Sequence, residues 1–169
     1  KFILVWAMNP CPCGFLSDPD KDCVCTFRQI ENYKSKLSGP LIDRIDIFIE
    51  VPKVKTSEFK VDEKYENAVT SKMIKDKVEK SRIIQLNRFK NTKITFNSEM
   101  TTKEINKYCK LDLESENILK QAISNLNLSA RAYYRILKLS RTIADLEWSD
   151  DIKKEHILEA LSFRKREEK

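Results

Sequence analysis

The chain opens with Phe2-Ile-Leu-Val-Trp-Ala-Met-Asn-Pro-Cys-Pro-Cys-Gly14, an apolar run that leads directly into a cysteine-rich loop. A continuous apolar run without polar alternation is typical of a buried strand, so we predict a strand over residues 2–7. Pro10 ends it, because proline cannot donate a hydrogen bond to a β-ladder. Asn9 is therefore expected at the tip of this strand.

A second strand is predicted over residues 45–51, Ile-Asp-Ile-Phe-Ile-Glu-Val, which are rich in β-branched side chains. Residues 27–37 between the strands have helical spacing of apolar positions. A parallel pair joined by a crossover normally belongs to a larger sheet, and two strands alone are not a stable sheet. We therefore predict an α/β remnant whose front is missing, followed by an all-α bundle, with mostly α structure overall.

Glycine and proline divide the chain into two parts. Both glycines and all five prolines lie at or before Pro52, and residues 53–169 contain neither. A long segment without the main helix breakers is predicted to be helical almost throughout. We place the boundary between Pro52 and Glu58, which gives domains 1–55 and 56–169.

The second part is predicted to contain a basic helix over residues 67–89 and four further helices. The basic helix also carries acidic residues, so an ordinary solvated face explains its charge better than a DNA contact does. Its predicted buried stripe consists of Val69, Ile74, Val78, Ile83 and Leu86. The other helices are indicated by capping residues, which are Thr101 with Glu104, Asp112 or Ser115, Ser129, and Ser149 or Asp150.

Composition limits the classes of protein. A net charge of +6 and a pI near 9 favour a nucleic-acid or nucleotide partner, with a soluble basic domain as an equal alternative. No apolar stretch approaches the ~18 residues of a membrane span, and no secretory signal is present, so a cytoplasmic location is expected. The chain starts inside an apolar run without methionine, as expected of a fragment.

Four cysteines form two Cys-x-Cys pairs, which are closed by a nine-residue loop. In a reducing compartment such a cluster favours a metal over disulfides, and two thiolate pairs suit a tetrahedral ion. We predict a structural zinc site, with free thiols or oxidised pairs as the alternatives. The predicted ligands are Cys11, Cys13, Cys23 and Cys25. The fifth cysteine, Cys109, is expected to be a buried apolar thiol.

Three motifs occur in a fixed order along the chain. They are Ala7-Met-Asn-Pro-Cys-Pro-Cys-Gly14, Leu37-Ser-Gly-Pro-Leu-Ile-Asp-Arg-Ile-Asp46, and Leu128-Ser-Ala-Arg-Ala-Tyr-Tyr-Arg135 followed by Arg141-Thr-Ile-Ala-Asp-Leu146. Together they resemble the magnesium-chelatase-like AAA+ ATPases of bacteria, in the competence-related branch. The resemblance covers the chain to about Arg164 and implies the C-terminal part of such a module, without its Walker A/B half.

The resemblance assigns roles to three residues. Asn9 matches the sensor 1 residue that positions the attacking water. Arg44 matches the arginine finger, which reaches a neighbouring subunit's nucleotide, and Arg131 matches sensor 2 on the helical lid. It further implies ATP and Mg²⁺ as cofactors of the full-length protein, a hexameric ring, and a DNA-remodelling motor in transformation or recombination. No Gly-rich phosphate loop is present, so the fragment alone is not expected to hydrolyse ATP.

Each of these interpretations has an alternative. Asn9 also fits a turn before proline, Arg44 fits a local ion pair with Asp43 or Asp46, and Arg131 fits a first-turn surface position. The whole chain could instead be a zinc-stabilised basic module that binds DNA or protein without enzymatic activity, or a subunit of a true magnesium chelatase. The single histidine, His156, is expected to be an ordinary core or surface residue rather than a catalytic one.

Overall fold

The structure of the chain is a computed structural model, which describes residues 3–42, 44–53, 69–126 and 128–164. Within these ranges it contains seven α-helices and one short 3₁₀-helix. They are α1 (Phe27–Lys34), α2 (Gly39–Ile42), α3 (Ser71–Arg88), the 3₁₀-helix (Asn97–Glu99), α4 (Thr102–Tyr108), α5 (Leu113–Asn125), α6 (Ala130–Leu146) and α7 (Lys154–Ser162).

The chain divides into two compact units. The described residues of the first are 3–42, 44–45 and 51–53, and those of the second are 46–50, 69–126 and 128–164. Most of the predicted boundary, the first two residues of the predicted basic helix and the charged tail after Arg164 lie outside the described residues, as does Phe2.

The two predicted strands are wrong. Residues 3–9 and 45–51 have no regular secondary structure, and the only β-bridge within the described ranges joins Leu111 to Ile152. Several apolar side chains of these stretches face solvent, with 90% of Ile3 and 70% of Ile49 exposed. An apolar, β-branched stretch becomes a strand only where a neighbouring strand pairs with it and covers it. The α/β remnant is therefore absent from the described residues, while the mostly helical character is confirmed.

The first unit contains α1 and α2. A capping box starts α1, in which the Thr26 hydroxyl accepts from the Gln29 N–H at 3.3 Å and the Gln29 amide oxygen accepts from the Thr26 N–H at 2.8 Å. The helix ends at Lys34, one turn before the predicted end at Leu37. In α2, Pro40 lies in the first turn, where its missing N–H costs no helical hydrogen bond.

The second unit is built around α6, which has the predicted bounds. The Ser129 hydroxyl caps it by accepting from the Ala132 N–H at 3.2 Å. Helix α6 contacts α3, α4, α7 and the 3₁₀-helix, and α5 contacts α7. The fully buried apolar side chains of this core include Phe89, Leu119, Ile136 and Ile157.

The predicted buried stripe of α3 is wrong. Its members Val69, Ile74 and Ile83 are more than half exposed, and the residues that α3 buries are Ser81 and Gln85. These exposed apolar residues do not lie on the face that α3 buries. Polar side chains can be buried on that face because they form hydrogen bonds there. For example, Gln85 Oε1 accepts from the Asn97 N–H at 3.3 Å.

Two other caps are found where the sequence predicts them, and one is not. Glu104 Oε2 accepts from the Thr101 N–H at 2.9 Å, and Asp112 Oδ1 accepts from the Ser115 N–H at 2.7 Å. Helix α7 begins several residues later than predicted, with Lys153 as its N-cap. The reason is the turn that follows α6, in which Trp148 has a left-handed backbone (φ 58°). No helix of the described part is long and apolar enough to cross a membrane.

Candidate functional site

Four thiols of the first unit converge. The Sγ atom of Cys11 lies 3.4 Å from that of Cys13 and 3.7 Å from that of Cys23, and the Sγ atoms of Cys13 and Cys23 are 3.6 Å apart. With Cys25, all four Sγ atoms lie within 4.8 Å of one another. Cys11 is fully buried and the other three are partly buried, so the cluster is shielded on one side.

The loop that carries the cysteines is shaped by tight turns. The Gly14 N–H donates to the Cys11 carbonyl at 3.1 Å, and Gly14 has a φ of +84°, a conformation that other residues rarely adopt. Further along, Lys53 donates to Asp18 at 3.3 Å and to Asp20 at 2.9 Å. The turn at Gly14 and the ion pairs of Lys53 therefore hold the loop in a compact conformation.

The thiols of the cluster differ in acidity. Hydrogen bonding by the Phe15 backbone N–H, with a further contribution from Val24, lowers the pKa of Cys13 to about 6. Burial raises the pKa of Cys25 to about 12, and neighbouring thiols add to the effect. The two shifts have opposite signs because hydrogen bonds stabilise a thiolate whereas burial destabilises it.

Asn9 lies directly before this loop and is exposed. It lines a surface groove of the first unit together with Trp6, Tyr33 and Lys36. Its carboxamide Nδ2 lies 3.6 Å from the point that a Cβ at Gly14 would occupy. The carboxamide therefore lies beside the turn that begins the cysteine loop.

Arg44 follows α2 and is exposed, with its Nη1 donating to the Pro40 carbonyl at 2.6 Å. The alternative of a local ion pair involved Asp43 or Asp46. Asp43 lies outside the described residues, and Asp46 Oδ1 lies 2.8 Å from Arg135 Nη1, an ion pair in which the nitrogen lacks the angle for a hydrogen bond.

Arg131 is the second residue of α6, in the second unit. It is exposed and has no hydrogen-bond or ion-pair partner among the described residues. The N-terminal end of a helix carries free N–H groups and a partial positive charge, which favour anions. A cation at this position is electrostatically unfavourable unless an anion binds beside it.

The second unit also contains a buried polar cluster that the sequence interpretation missed. Asp145 is fully buried, and it accepts hydrogen bonds from Arg88, Arg141 and Asn97. The ion pair between Arg141 and Asp145 could have been predicted, because the two residues are spaced i, i+4 on the helix with the clearest apolar face. The long-range partner Arg88 could not be read from that spacing.

His156 has a structural place. It is 2% exposed, and its Nδ1 accepts from the Lys153 N–H at 3.0 Å, which caps the start of α7. Its other ring nitrogen, Nε2, therefore carries the proton in the neutral form and donates to Glu147 at 3.0 Å.

The chain belongs to the magnesium chelatase family. The family model described as magnesium chelatase, subunit ChlI C-terminal, matches residues 68–164, and the model described as magnesium chelatase, subunit ChlI, matches residues 1–59.

Among similar proteins is Competence protein ComM of Haemophilus influenzae, which is 39% identical over 164 residues. The protein YifB is 35% identical in Escherichia coli and 34% identical in Salmonella typhimurium. In each case the match covers 97% of this chain and 31% of the relative. The chain thus spans about a third of the length of these relatives.

Proposed function

We propose that this chain is part of the nucleotide site of an oligomeric, magnesium-dependent AAA+ ATPase that remodels DNA. Membership of the magnesium chelatase family supports the ATPase class, and similarity to a protein named for competence supports DNA as the substrate. The observation that carries the proposal is Arg131 in the first turn of α6, an exposed cation with no hydrogen-bond or ion-pair partner among the residues that the structure describes. Such a position suits a phosphate group.

Arg131 acts as sensor 2 in this proposal, and α3–α7 form the helical lid. Its guanidinium can donate two hydrogen bonds to one phosphate of bound ATP. The free N–H groups at the start of α6 add a partial positive charge that also favours the phosphate. The helix is anchored at its other end by the buried Asp145 cluster. The lid therefore presents Arg131 from a rigid element.

Asn9 acts as sensor 1. Its exposed carboxamide both donates and accepts, so it can orient a water molecule and sense a phosphate oxygen at once. Lys36 lines the same groove and adds positive charge beside it. The role proposed for Asn9 is positioning, which is the main demand that phosphoryl transfer makes of a protein.

Arg44 acts as the arginine finger towards a neighbouring subunit of a hexameric ring. Its hydrogen bond to the Pro40 carbonyl orients the exposed guanidinium while leaving its remaining donors available. An arginine supplied in this way stabilises the charge that develops in the transition state and contributes roughly 10³–10⁵ in rate.

ATP fits these donors, since all three are groups that hydrogen-bond to phosphate oxygens. Bound Mg²⁺ would supply charge neutralisation at the phosphates. The sequence contains no Gly-rich phosphate loop, so in this proposal the residues that hold the triphosphate and Mg²⁺ belong to the part of the relatives' length that this chain does not cover. The chain alone is therefore not expected to turn over ATP.

The test is Arg44→Ala in the intact protein, with the exposed Arg28→Ala of α1 as the matched control. Arg44→Ala should reduce ATP turnover by about 10³-fold or more while nucleotide binding stays within a few-fold. Mixing it with an Asn9→Ala variant should restore part of the turnover, because each ring then contains intact sites assembled from two subunits. Normal turnover in Arg44→Ala would refute the finger.

A second candidate is a subunit that drives insertion of magnesium into a porphyrin, and the family description favours it. Adding the intact protein to the remaining chelatase subunits and following the absorption of the metalloporphyrin discriminates the two. Metal insertion would favour the chelatase, whereas DNA-stimulated ATP turnover without insertion would favour the remodelling motor.

A further inference from the structure

We propose that the four clustered thiols hold one zinc ion as a tetrahedral, structural site. The ligands are Cys11, Cys13, Cys23 and Cys25. The site joins the two ends of the cysteine loop and fixes the position of Asn9. The consequence of this position for ATP turnover rests on the function proposed above for Asn9.

The spacing of the sulfur atoms matches a tetrahedron. Zinc binds thiolate sulfur at about 2.3 Å, so the edges of a tetrahedral four-sulfur site are about 3.8 Å long. The three measured edges between Cys11, Cys13 and Cys23 are 3.4, 3.7 and 3.6 Å, and no pair that includes Cys25 exceeds 4.8 Å. Small shifts therefore place all four sulfurs around one ion.

The arrangement does not favour disulfides. A disulfide brings two sulfur atoms to about 2.0 Å and separates them from the others. Here Cys23 lies almost equally far from Cys11 and from Cys13, so the thiols are not sorted into two pairs. An equilateral group of sulfurs is the geometry of a shared central ion.

The ligand type and closeness identify the class of metal. Four thiolates select soft or borderline ions and reject Mg²⁺ and Ca²⁺, which require oxygen. An iron–sulfur cluster divides four thiolates between two or four iron atoms, which would keep the sulfurs on different irons further apart than they are here. A single zinc ion with a closed set of four ligands is structural, since no coordination position is left for water.

The surroundings complete the site. The loop geometry also supports the site, because the tight turn at Gly14, whose N–H donates to the Cys11 carbonyl at 3.1 Å, holds Cys11 and Cys13 close together. Cys11 follows Asn9 by two residues, and Gly14 lies against the Asn9 carboxamide. Fixing Cys11 and Cys13 on the metal therefore fixes the backbone from which Asn9 projects.

The first experiment measures metal content in the intact protein, purified without chelator, by elemental mass spectrometry. We expect about one zinc per chain, and replacement by Co²⁺ should give the thiolate charge-transfer and visible absorption bands of a tetrahedral site. Cys23→Ser should lose most of the metal, whereas Cys109→Ala, which removes a thiol outside the cluster, should keep it. Zinc-free protein with all four thiols titratable, or with two disulfides, would overturn the proposal.

The second experiment separates this site from the ATPase. Metal content is measured without nucleotide, so it does not depend on any role of Asn9. If Cys23→Ser loses zinc and also loses ATP turnover while still forming rings, the positioning step is supported. Loss of zinc with unchanged turnover would remove the positioning step and leave the metal site intact.

Discussion

The Arg88 guanidinium at the end of α3 donates to the buried carboxylate of Asp145 at the end of α6, with Nη1 2.7 Å from Oδ2. Its Nη2 contacts the other carboxylate oxygen, so the pair is bidentate. Arg141 reaches the same carboxylate through Nε at 3.0 Å, and Asn97 through Nδ2 at 2.8 Å. One buried anion thus joins α3, α6 and the 3₁₀-helix.

Replacing Asp145 by Asn should destabilise the second unit strongly. The change keeps the shape but leaves the buried Arg141, and Arg88 beside it, without an anion, which typically costs about 3–5 kcal/mol. Urea unfolding of the intact protein, followed by circular dichroism, measures the loss. Asp76→Asn on the exposed surface of α3 is the control and should change the free energy of unfolding by less than about 0.5 kcal/mol. Equal losses in both variants would contradict the role of the cluster.

Arg131→Gln should separate stability from function. Removing a cation from a helix N-terminus should raise the free energy of unfolding by about 0.3–1 kcal/mol, whereas ATP turnover should fall. Lys103 is the matched control, because it is the exposed second residue of α4 as Arg131 is of α6. Lys103→Gln should give a similar stability gain with unchanged turnover. If both variants keep turnover, Arg131 has no role in the nucleotide site.

Alanine should destabilise the chain more at Gly14 than at Gly39. Gly14 has a φ of +84°, and a left-handed alanine costs about 1–2 kcal/mol even though its Cβ would meet only ordinary contacts. Gly39 has no left-handed backbone, and a Cβ added to it would meet no atom within 4 Å outside its chain neighbours, so the remaining cost of Gly39→Ala is the crowding of a Cβ by the ring of Pro40. Thermal unfolding of the two variants checks this order, and a Gly14→Ala variant that unfolds at the same temperature as Gly39→Ala or above it would contradict the turn geometry.

Cys109 should make stability depend on alkaline pH. Burial raises its pKa from 9.0 to about 11, so the folded protein keeps the proton where the unfolded chain has lost it. The free energy of unfolding should therefore be insensitive to this group below pH 9 and should fall between about pH 9 and 11, by up to about 1.4 kcal/mol per unit of pKa difference. Comparing urea unfolding of the wild type and Cys109→Ala across this range isolates the effect. Parallel pH curves would contradict it.

Features set by local chemistry could be predicted from the sequence. Helix α6 was bounded correctly because Ser129 caps it and its apolar face is unbroken, and the caps at Thr101 and Asp112 depend only on residues three positions away. The four cysteines could be grouped because a short loop joins them. In the same way, helix-breaker content alone predicted that the second part is helical.

Features that depend on residues far away in the sequence could not be predicted in this way. The stretch around Val5 reads as a strand, yet a strand exists only where another strand pairs with it. In α3 the apolar side chains such as Ile74 suggested the wrong packing face, because the helix is joined to α6 through Gln85 and Arg88 instead. The sequence spacing of 57 residues between Arg88 and Asp145 gives no hint of their contact.

Helix α6 carries an exposed cation near its start and a buried anion near its end. Arg131 and Asp145 are separated by about 21 Å along the axis at 1.5 Å per residue, about four turns of continuous hydrogen bonding. Because α6 contacts α3, α4, α7 and the 3₁₀-helix, both of its ends belong to one packed unit. Under the function proposed for Arg131, a phosphate held at this end of α6 would therefore move together with the whole packed unit.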